Sequence, residues 1–256
     1  MAAAIDISNL TKTYRPAKGK QCPAQILTEF TLAVEKGQFV VLYGPNGCGK
    51  TTLIHIAAGV EKYDSGNALI LGKKPEEVDI GIVFQNYSAT LFPWLNLIDN
   101  ISFPLTGSGV NRKKAVRELL EDLQFQQIQD LLESHPYKLS GGQQQMVAIG
   151  RALIARPPVV FFDEAFSALD GEHKDKALKG VQRFCQCGGT TCLFAIHDVD
   201  EAILLADRLL ILDSNPLRIK EDLAVEFDRP RNLELLRREE FSKVRNRVLQ
   251  TTQGRA

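Results

Sequence analysis

The sequence predicts an α/β layered fold: a core of strands and helices interrupted by an inserted helical subdomain. Three observations predict it. Short apolar runs alternate with segments of helical spacing, the pattern of helices packed on a largely parallel sheet. A glycine-rich turn joins the apolar run Phe39 to Tyr43 to a following helix. From Leu95 to Pro157 the strand signals vanish and helical spacing takes over.

Taken in order, Ile26 to Val34 alternates as a strand, and Phe39 to Tyr43 is short and fully apolar. Lys50 to Ala58 reads as a helix, and Ala68 to Leu71 and Ile80 to Phe84 as short strands. Thr106 to Gly109 reads as a flexible linker. Lys113 to Leu123 places Val116, Leu119, Leu120 and Leu123 on one helical face. Gln143 to Ala155 is a second amphipathic helix, stopped by Pro157 and Pro158. Strands return at Val159 to Phe162, Thr191 to Ile196 and Leu209 to Leu212. From Asn232 onward, Leu233, Leu236, Phe241, Val244 and Val248 mark a C-terminal helix with a charged outer face. The expected division is a core of residues 1–86 and 158–225, a helical subdomain of 87–157 and a C-terminal helical extension of 226–256.

The 256 residues suit one large domain or a core with a subdomain. Lys plus Arg equals Asp plus Glu, 31 each, which argues against the nucleic-acid backbone as main partner. The longest apolar run falls far short of the ~20 residues needed to span a bilayer. Met1 to Ile7 has no basic segment ahead of an apolar core and does not read as a signal peptide. The expected location is the cytoplasm, with docking onto a membrane protein left open. Five cysteines, an odd number without regular pairing, suit a reducing compartment. Cys185, Cys187 and Cys192 read as a helix end, a Gly188-Gly189 turn and a buried strand. A metal site is disfavoured because no fourth ligand stands at the right spacing.

Three motifs bear on chemistry. Gly44-Pro45-Asn46-Gly47-Cys48-Gly49-Lys50-Thr51 fits the G-x-x-x-x-G-K-[ST] phosphate loop, between a strand and a helix as the motif requires. Its glycines let successive N–H groups converge on phosphate oxygens at a positive helix end. Lys50 would reach the β- and γ-phosphates and the Thr51 hydroxyl would coordinate Mg²⁺; Thr52, next in line, is counted with the ATP-binding residues. Val159 to Asp163-Glu164 is an apolar strand ending in two carboxylates, a costly arrangement unless a cation waits there. Asp163 suits the metal shell and Glu164 the role of general base or water positioner. Leu139-Ser140-Gly141-Gly142-Gln143 opens a helix whose Ser140 can cap and whose glycines expose N–H groups. It reads either as an ordinary capped helix or as a second anion-binding terminus, one that would grip ATP held by another subunit.

In this order, the three motifs resemble the nucleotide-binding subunit of an ABC transporter, a phosphate-loop ATPase with an inserted helical subdomain. The resemblance covers nearly the whole chain, and Leu139 to Gln143 is peculiar to that superfamily. It implies that Tyr14 stacks on adenine and that Gln85 touches Mg²⁺ and senses the nucleotide. It further implies that Ser167 to Asp170 communicates between subunits, with Asp170 at its end, and that His197 is a switch contacting the γ-phosphate. Lys50, Glu164 and His197 are then the catalytic set, with Thr51, Gln85 and Asp163 around the metal. His55, His135 and His173 fall on no motif and read as structural. Proline commonly follows the catalytic glutamate in the family; Ala165 stands here, which removes no catalytic group.

Phe84 to Ser88, Leu91 to Leu95, His197 to Asp207 and Phe227 to Arg231 resemble importers of nitrate, sulfonate, taurine and related small anions, or of thiamine-precursor pyrimidines. That implies a second ATPase subunit, identical or related, and an integral membrane permease with an extracytoplasmic solute-binding protein. The place implied is the cytoplasmic face of the inner membrane, with no nucleic acid as partner. Competing classes weigh less. A DNA-repair ATPase of this superfamily carries a long coiled coil, a ribosomal one carries two cassettes, and a small-molecule kinase needs no Leu-Ser-Gly-Gly-Gln helix. Phe92 and Trp94 lie where the permease would dock, and read either as exposed anchors or as packing inside the subdomain.

Overall fold

A computed structural model describes residues 3–14, 24–107, 109–214 and 216–253. Cys22 and the Ser108 of the expected linker lie outside the described residues. The chain runs β1 (Ala3–Tyr14), β2 (Ala24–Glu35), β3 (Phe39–Tyr43), α1 (Lys50–Ala57), β4 (Ser65–Ile70) and β5 (Ile80–Val83). Four helices follow: α2 (Tyr87–Thr90), α3 (Leu97–Ser102), α4 (Arg112–Asp122) and α5 (Gly141–Leu153). Then come β6 (Val159–Asp163), α6 (Gly171–Gly188), β7 (Thr191–Ile196), α7 (Val199–Leu205), β8 (Arg208–Asp213), β9 (Arg218–Ala224) and α8 (Glu239–Gln253).

A six-stranded sheet in the order β5-β6-β7-β3-β8-β9 is parallel except at β9, which pairs antiparallel with β8. A smaller antiparallel sheet has the order β2-β1-β4. The central strands β3, β6 and β7 are buried along almost their whole length, so Val40–Leu42, Val159–Phe162 and Cys192–Ile196 are continuous apolar runs rather than alternating ones. On β6, Val160 and Phe162 enter the core shared with the helices, while Val159 and Phe161 face α1 and the small sheet. Phe162 stacks on Phe194 of β7 at 4.6 Å between ring centroids. Because β3, β6 and β7 run parallel, the phosphate loop, the two carboxylates and His197 all emerge from the same sheet edge.

Expected elements appear with small boundary shifts. The second amphipathic helix begins at Gly141, not Gln143, because a capping box fixes its start: the Ser140 hydroxyl accepts from Gln143 N–H and the Gln143 side chain accepts from Ser140 N–H. It ends at Leu153, ahead of Arg156 at φ +50° and Pro157. The C-terminal helix expected from Asn232 is divided into a 3₁₀ turn, Leu233–Arg237, and α8, separated at extended Arg238.

Helices α4 and α6 approach closely at Gly180, where a Cβ would lie 2.1 Å from the Leu123 carbonyl oxygen. In an open helix interior, Gly→Ala gains about 1 kcal/mol. Here the sign should reverse. Gly180→Ala is expected to cost ~1–3 kcal/mol from overpacking, read as a thermal midpoint lowered by ~2–4 °C per kcal/mol. Gly188→Ala, whose Cβ would meet nothing nearer than Thr190 Oγ1 at 3.4 Å, is the control. A Gly180→Ala midpoint equal to the unmutated protein's would show that the two helices separate at no cost.

Candidate functional site

The phosphate loop takes its shape from Gly47 and Gly49, at φ +76° and +112°. Gly49 is doubly constrained, since a Cβ there would also lie 2.6 Å from Ile26 Cγ2 on β2. The Lys50 ammonium is buried and donates to the Gly44 carbonyl at 2.7 Å and the Pro45 carbonyl at 3.1 Å. Cys48 is buried, which pushes its thiol pKa up. Asn46, Gly47, Gly49, Lys50, Thr51 and Thr52 line a cavity of about 290 Å³, to which Gln85 and Glu164 also contribute. The Tyr14 hydroxyl lies 3.4 Å from Thr52 Oγ1, and the Lys12 ammonium sits 4.8 Å from the Tyr14 ring centre. Tyr14 is 40% exposed, a placement open to a flat partner. Gly44, Pro45, Asn46 and His197 border a second, adjoining cavity.

Strand β6 delivers the two carboxylates differently. Asp163 is fully buried and accepts a hydrogen bond from Thr51 Oγ1 at 3.1 Å. Its other oxygen, Oδ2, is buried without a hydrogen-bond partner. Burial raises the pKa of this carboxyl. A buried carboxylate oxygen that accepts no hydrogen bond, beside a threonine hydroxyl, suits a hard divalent cation, which takes oxygen ligands. Glu164 sits at φ +50°, a sparsely populated backbone region for a non-glycine residue. Its carboxylate lies between two neighbours: Gln85 Nε2 donates to Oε2 at 3.1 Å, and His197 Nδ1 lies 3.4 Å from Oε1. The structure thus brings Gln85, Glu164 and His197 to one point, from three adjacent strand ends.

Ser140, Gly141, Gly142 and Gln143 do not join this cluster. They line a separate cavity of about 460 Å³ together with Asp170 and His173. Asp170 caps the start of α6 without a side-chain bond into it, and its carboxylate is almost wholly exposed, 3.5 Å from His173 Nδ1. No residue lines both this cavity and the one at the phosphate loop.

Residues 27–167 match the family model described as ABC transporter. The chain belongs to this family. Among relatives, the uncharacterized ABC transporter ATP-binding protein MJ0412 of Methanocaldococcus jannaschii is 35% identical over 97% of this chain and 91% of its own length. The spermidine/putrescine import ATP-binding protein PotA of Haemophilus influenzae is 36% identical over 79% of this chain and 57% of its own. The nitrate import ATP-binding protein NrtC of Synechococcus elongatus is 34% identical over 87% and 34%. This chain therefore spans little more than half of the first of these import proteins and a third of the second. A dimeric structure of the bacterial ABC transporter cassette MJ0796 superposes with a TM-score of 0.77 at 28% identity, covering 88% of this chain and 100% of that one. The same cassette bound to ADP and Pi, in a post-hydrolysis dimer, gives 0.76. The chain is an ATP-hydrolysing ABC cassette.

Two residues near the site make contacts that no sequence motif marks. His55, which the sequence reads as structural, places Nε2 3.8 Å from Asp163 Oδ2, with its ring edge against Phe84. Its signal was its spacing, four residues past Thr51 on the same helix face. Gln145, fully buried on α5, bonds to the backbone around Glu164. No local pattern marks it. The two aromatics left open divide: Trp94 is 71% exposed, whereas Phe92 is half-buried against Phe103 and Arg151. Buried Asn100 holds this turn, accepting from Phe92 N–H and donating to the carbonyls of Phe92, Leu95 and Asn96. Beside it runs a groove of about 750 Å³ between β5 and α5, lined by Phe84, Phe92, Phe103 and Arg151.

Proposed function

We propose that this cassette is the nucleotide-binding subunit of an ABC importer, working as one of a pair with a membrane permease. The observation that carries the pairing is the separation of the two anion-ready helix ends into cavities without a shared residue. One chain offers one phosphate loop, so the Ser140–Gln143 terminus is left to serve ATP held by a second ATPase subunit. In this reading Tyr14 stacks on adenine, residues 44–52 wrap the phosphates, and Asp170 carries state between subunits. Mg²⁺, held by Thr51, Gln85 and Asp163, would offset charge on the β- and γ-phosphate oxygens. Glu164 orients and accepts a proton from the attacking water, and His197 contacts the γ-phosphate. Closure on ATP moves the helical subdomain, residues 87–157, against the core of 1–86 and 158–225, with 226–256 packed as an extension.

The permease is read as docking at the groove by Phe92 and Trp94, placing the subunit peripherally on the cytoplasmic face of the membrane. Among the described residues no helix is long and apolar enough to cross a membrane. Import is supported by the relatives' names. A small solute of nitrate, sulfonate, taurine, bicarbonate or thiamine-precursor type is supported by the Phe84–Leu95 and Phe227–Arg231 resemblance and by the nitrate import relative. An extracytoplasmic solute-binding protein and the permease would select it.

Trp94→Ala tests the docking. An exposed substitution changes stability by no more than ~0.5 kcal/mol, so folding and basal ATP hydrolysis should be preserved. Removing an aromatic anchor at a contact centre costs ~2 kcal/mol or more, so co-purification with the permease should fall by roughly tenfold or more. Undiminished co-purification would remove the docking assignment. Release of inorganic phosphate without any acceptor substrate checks the hydrolytic reading itself.

A further inference from the structure

Helix α5 begins at the Ser140 cap and runs beneath the catalytic strand ends, and its one fully buried polar side chain is Gln145. Both of its polar atoms are hydrogen-bonded. Its Nε2 donates to the Glu164 carbonyl at 3.3 Å and lies 3.5 Å from Ser167 Oγ, while its Oε1 accepts from Ala168 N–H at 3.0 Å. Both ends of the residue 164–168 turn are thereby tied to one amide. The turn needs holding, because Glu164 sits at φ +50° and strained backbone persists only where its surroundings over-determine it. Two further backbone bonds restrain Glu164: its N–H donates to the Ala195 carbonyl at 3.0 Å, and its carbonyl also accepts from Ser167 N–H within the turn.

The opposite end of α5 grips the docking segment. Six residues on, Arg151 donates to the Thr90 carbonyl at 2.7 Å and to Thr90 Oγ1 at 2.8 Å, and lies over the Phe92 ring. At ~1.5 Å per residue, about 9 Å of rigid helix separates the two grips. One helix thus holds both the Thr90–Phe92 segment and the backbone of Glu164.

We infer that Gln145 is a positioning residue for Glu164, through which the position of α5 sets the rate of hydrolysis. The inference rests on the assignment of Glu164 made above. Gln145 does not itself line the phosphate-loop cavity and reaches it only through the Glu164 backbone, so its loss should act on turnover and leave ATP affinity in place.

The test is a double-mutant cycle with Glu164→Gln, measured as single-turnover ATP hydrolysis by the full chain. Gln145→Met, of similar volume but without the amide, should lower the hydrolysis rate by roughly tenfold or more. The half-saturating ATP concentration should change less than ~2-fold. In the Glu164→Gln background the same substitution should cost less than ~2-fold, because there is no longer a working carboxylate to position. A role in packing alone would multiply through both backgrounds, and that outcome overturns the inference. So does a Gln145→Met rate within 2-fold of the unmutated protein, or an equal loss of ATP affinity. Where Gln145→Met does not fold, Gln145→Asn carries the same comparison: it keeps a neutral amide but is one methylene too short to bridge the Glu164 carbonyl and the Ala168 N–H. Glu164→Gln alone, in the same assay, separates the two failures, since near-normal turnover there removes the Glu164 assignment whatever Gln145 does.

Discussion

Glu164→Gln is expected to retain ATP binding while hydrolysis falls by roughly 10²-fold or more. At 1.36 kcal/mol per tenfold, that is a loss of ~2.7 kcal/mol of transition-state stabilisation. The substitution suits the site because the surrounding geometry survives it. The Gln85 amide 3.1 Å from Oε2 and the His197 ring 3.4 Å from Oε1 meet a side chain of unchanged shape. What disappears is the capacity to take a proton from water. Nothing in the phosphate loop is altered, so ATP should bind and stay, and the pair of subunits should remain closed on it. Gel filtration with ATP and Mg²⁺ should show the shift to dimer, and phosphate release should show the loss. Turnover near that of the unmutated protein would move the catalytic role elsewhere, with His197 next to consider.

What could be read without coordinates was whatever is written in contiguous residues. The phosphate loop, the apolar strand ending in Asp163 and Glu164, and the Ser140–Gln143 helix start are each local. Their physics is complete within about ten residues. The parallel strands were legible because burial on both faces leaves only apolar residues in Val159–Phe162 and Cys192–Ile196. Strand β1 was not, because its alternation is broken: Ile5 and Ile7 are buried, Asn9 stands at φ +49°, and the next buried residue is Leu10. Strand β9, an edge with only Leu223 buried, offers no apolar pattern at all. In α6, Gly180 in mid-helix weakens the signal for a reason set by Leu123, 57 positions earlier by the numbering. Gln145 and His55 belong to the same category. Their partners lie across long sequence separations, and a glutamine in a helix or a histidine in another looks ordinary until the chain is folded. Phe92 and Trp94, two residues apart, could not be distinguished because their difference is set by Asn100, which fixes the turn between them.

The paired reading makes the other large prediction, because it requires that two inactive chains repair one another. Ser140→Arg places a bulky cation at the entrance of the helix end it would use to meet a partner's ATP. It also removes the cap that accepts Gln143 N–H, at a cost of about 1 kcal/mol, small enough for the chain to stay folded. Its own phosphate loop is intact, so ATP binding should persist while hydrolysis is abolished. Lys50→Ala fails differently, since it removes the ammonium at the base of the loop and nucleotide binding itself should weaken. Mixed, the two chains should regain part of the activity. In a dimer of one chain with the other, the intact loop of Ser140→Arg faces the intact Ser140 terminus of Lys50→Ala, which restores one complete composite site. The opposite site carries both lesions. Recovery should follow the heterodimer fraction, at most half for random mixing of equal amounts, with each heterodimer holding one working site of two. For the unmutated protein, specific activity should likewise rise with concentration as monomers pair. Activity per chain that stays constant down to concentrations where only monomer is detected would refute the shared site, because a monomer cannot bring its own Ser140 terminus and its own phosphate loop to one nucleotide when they border different cavities.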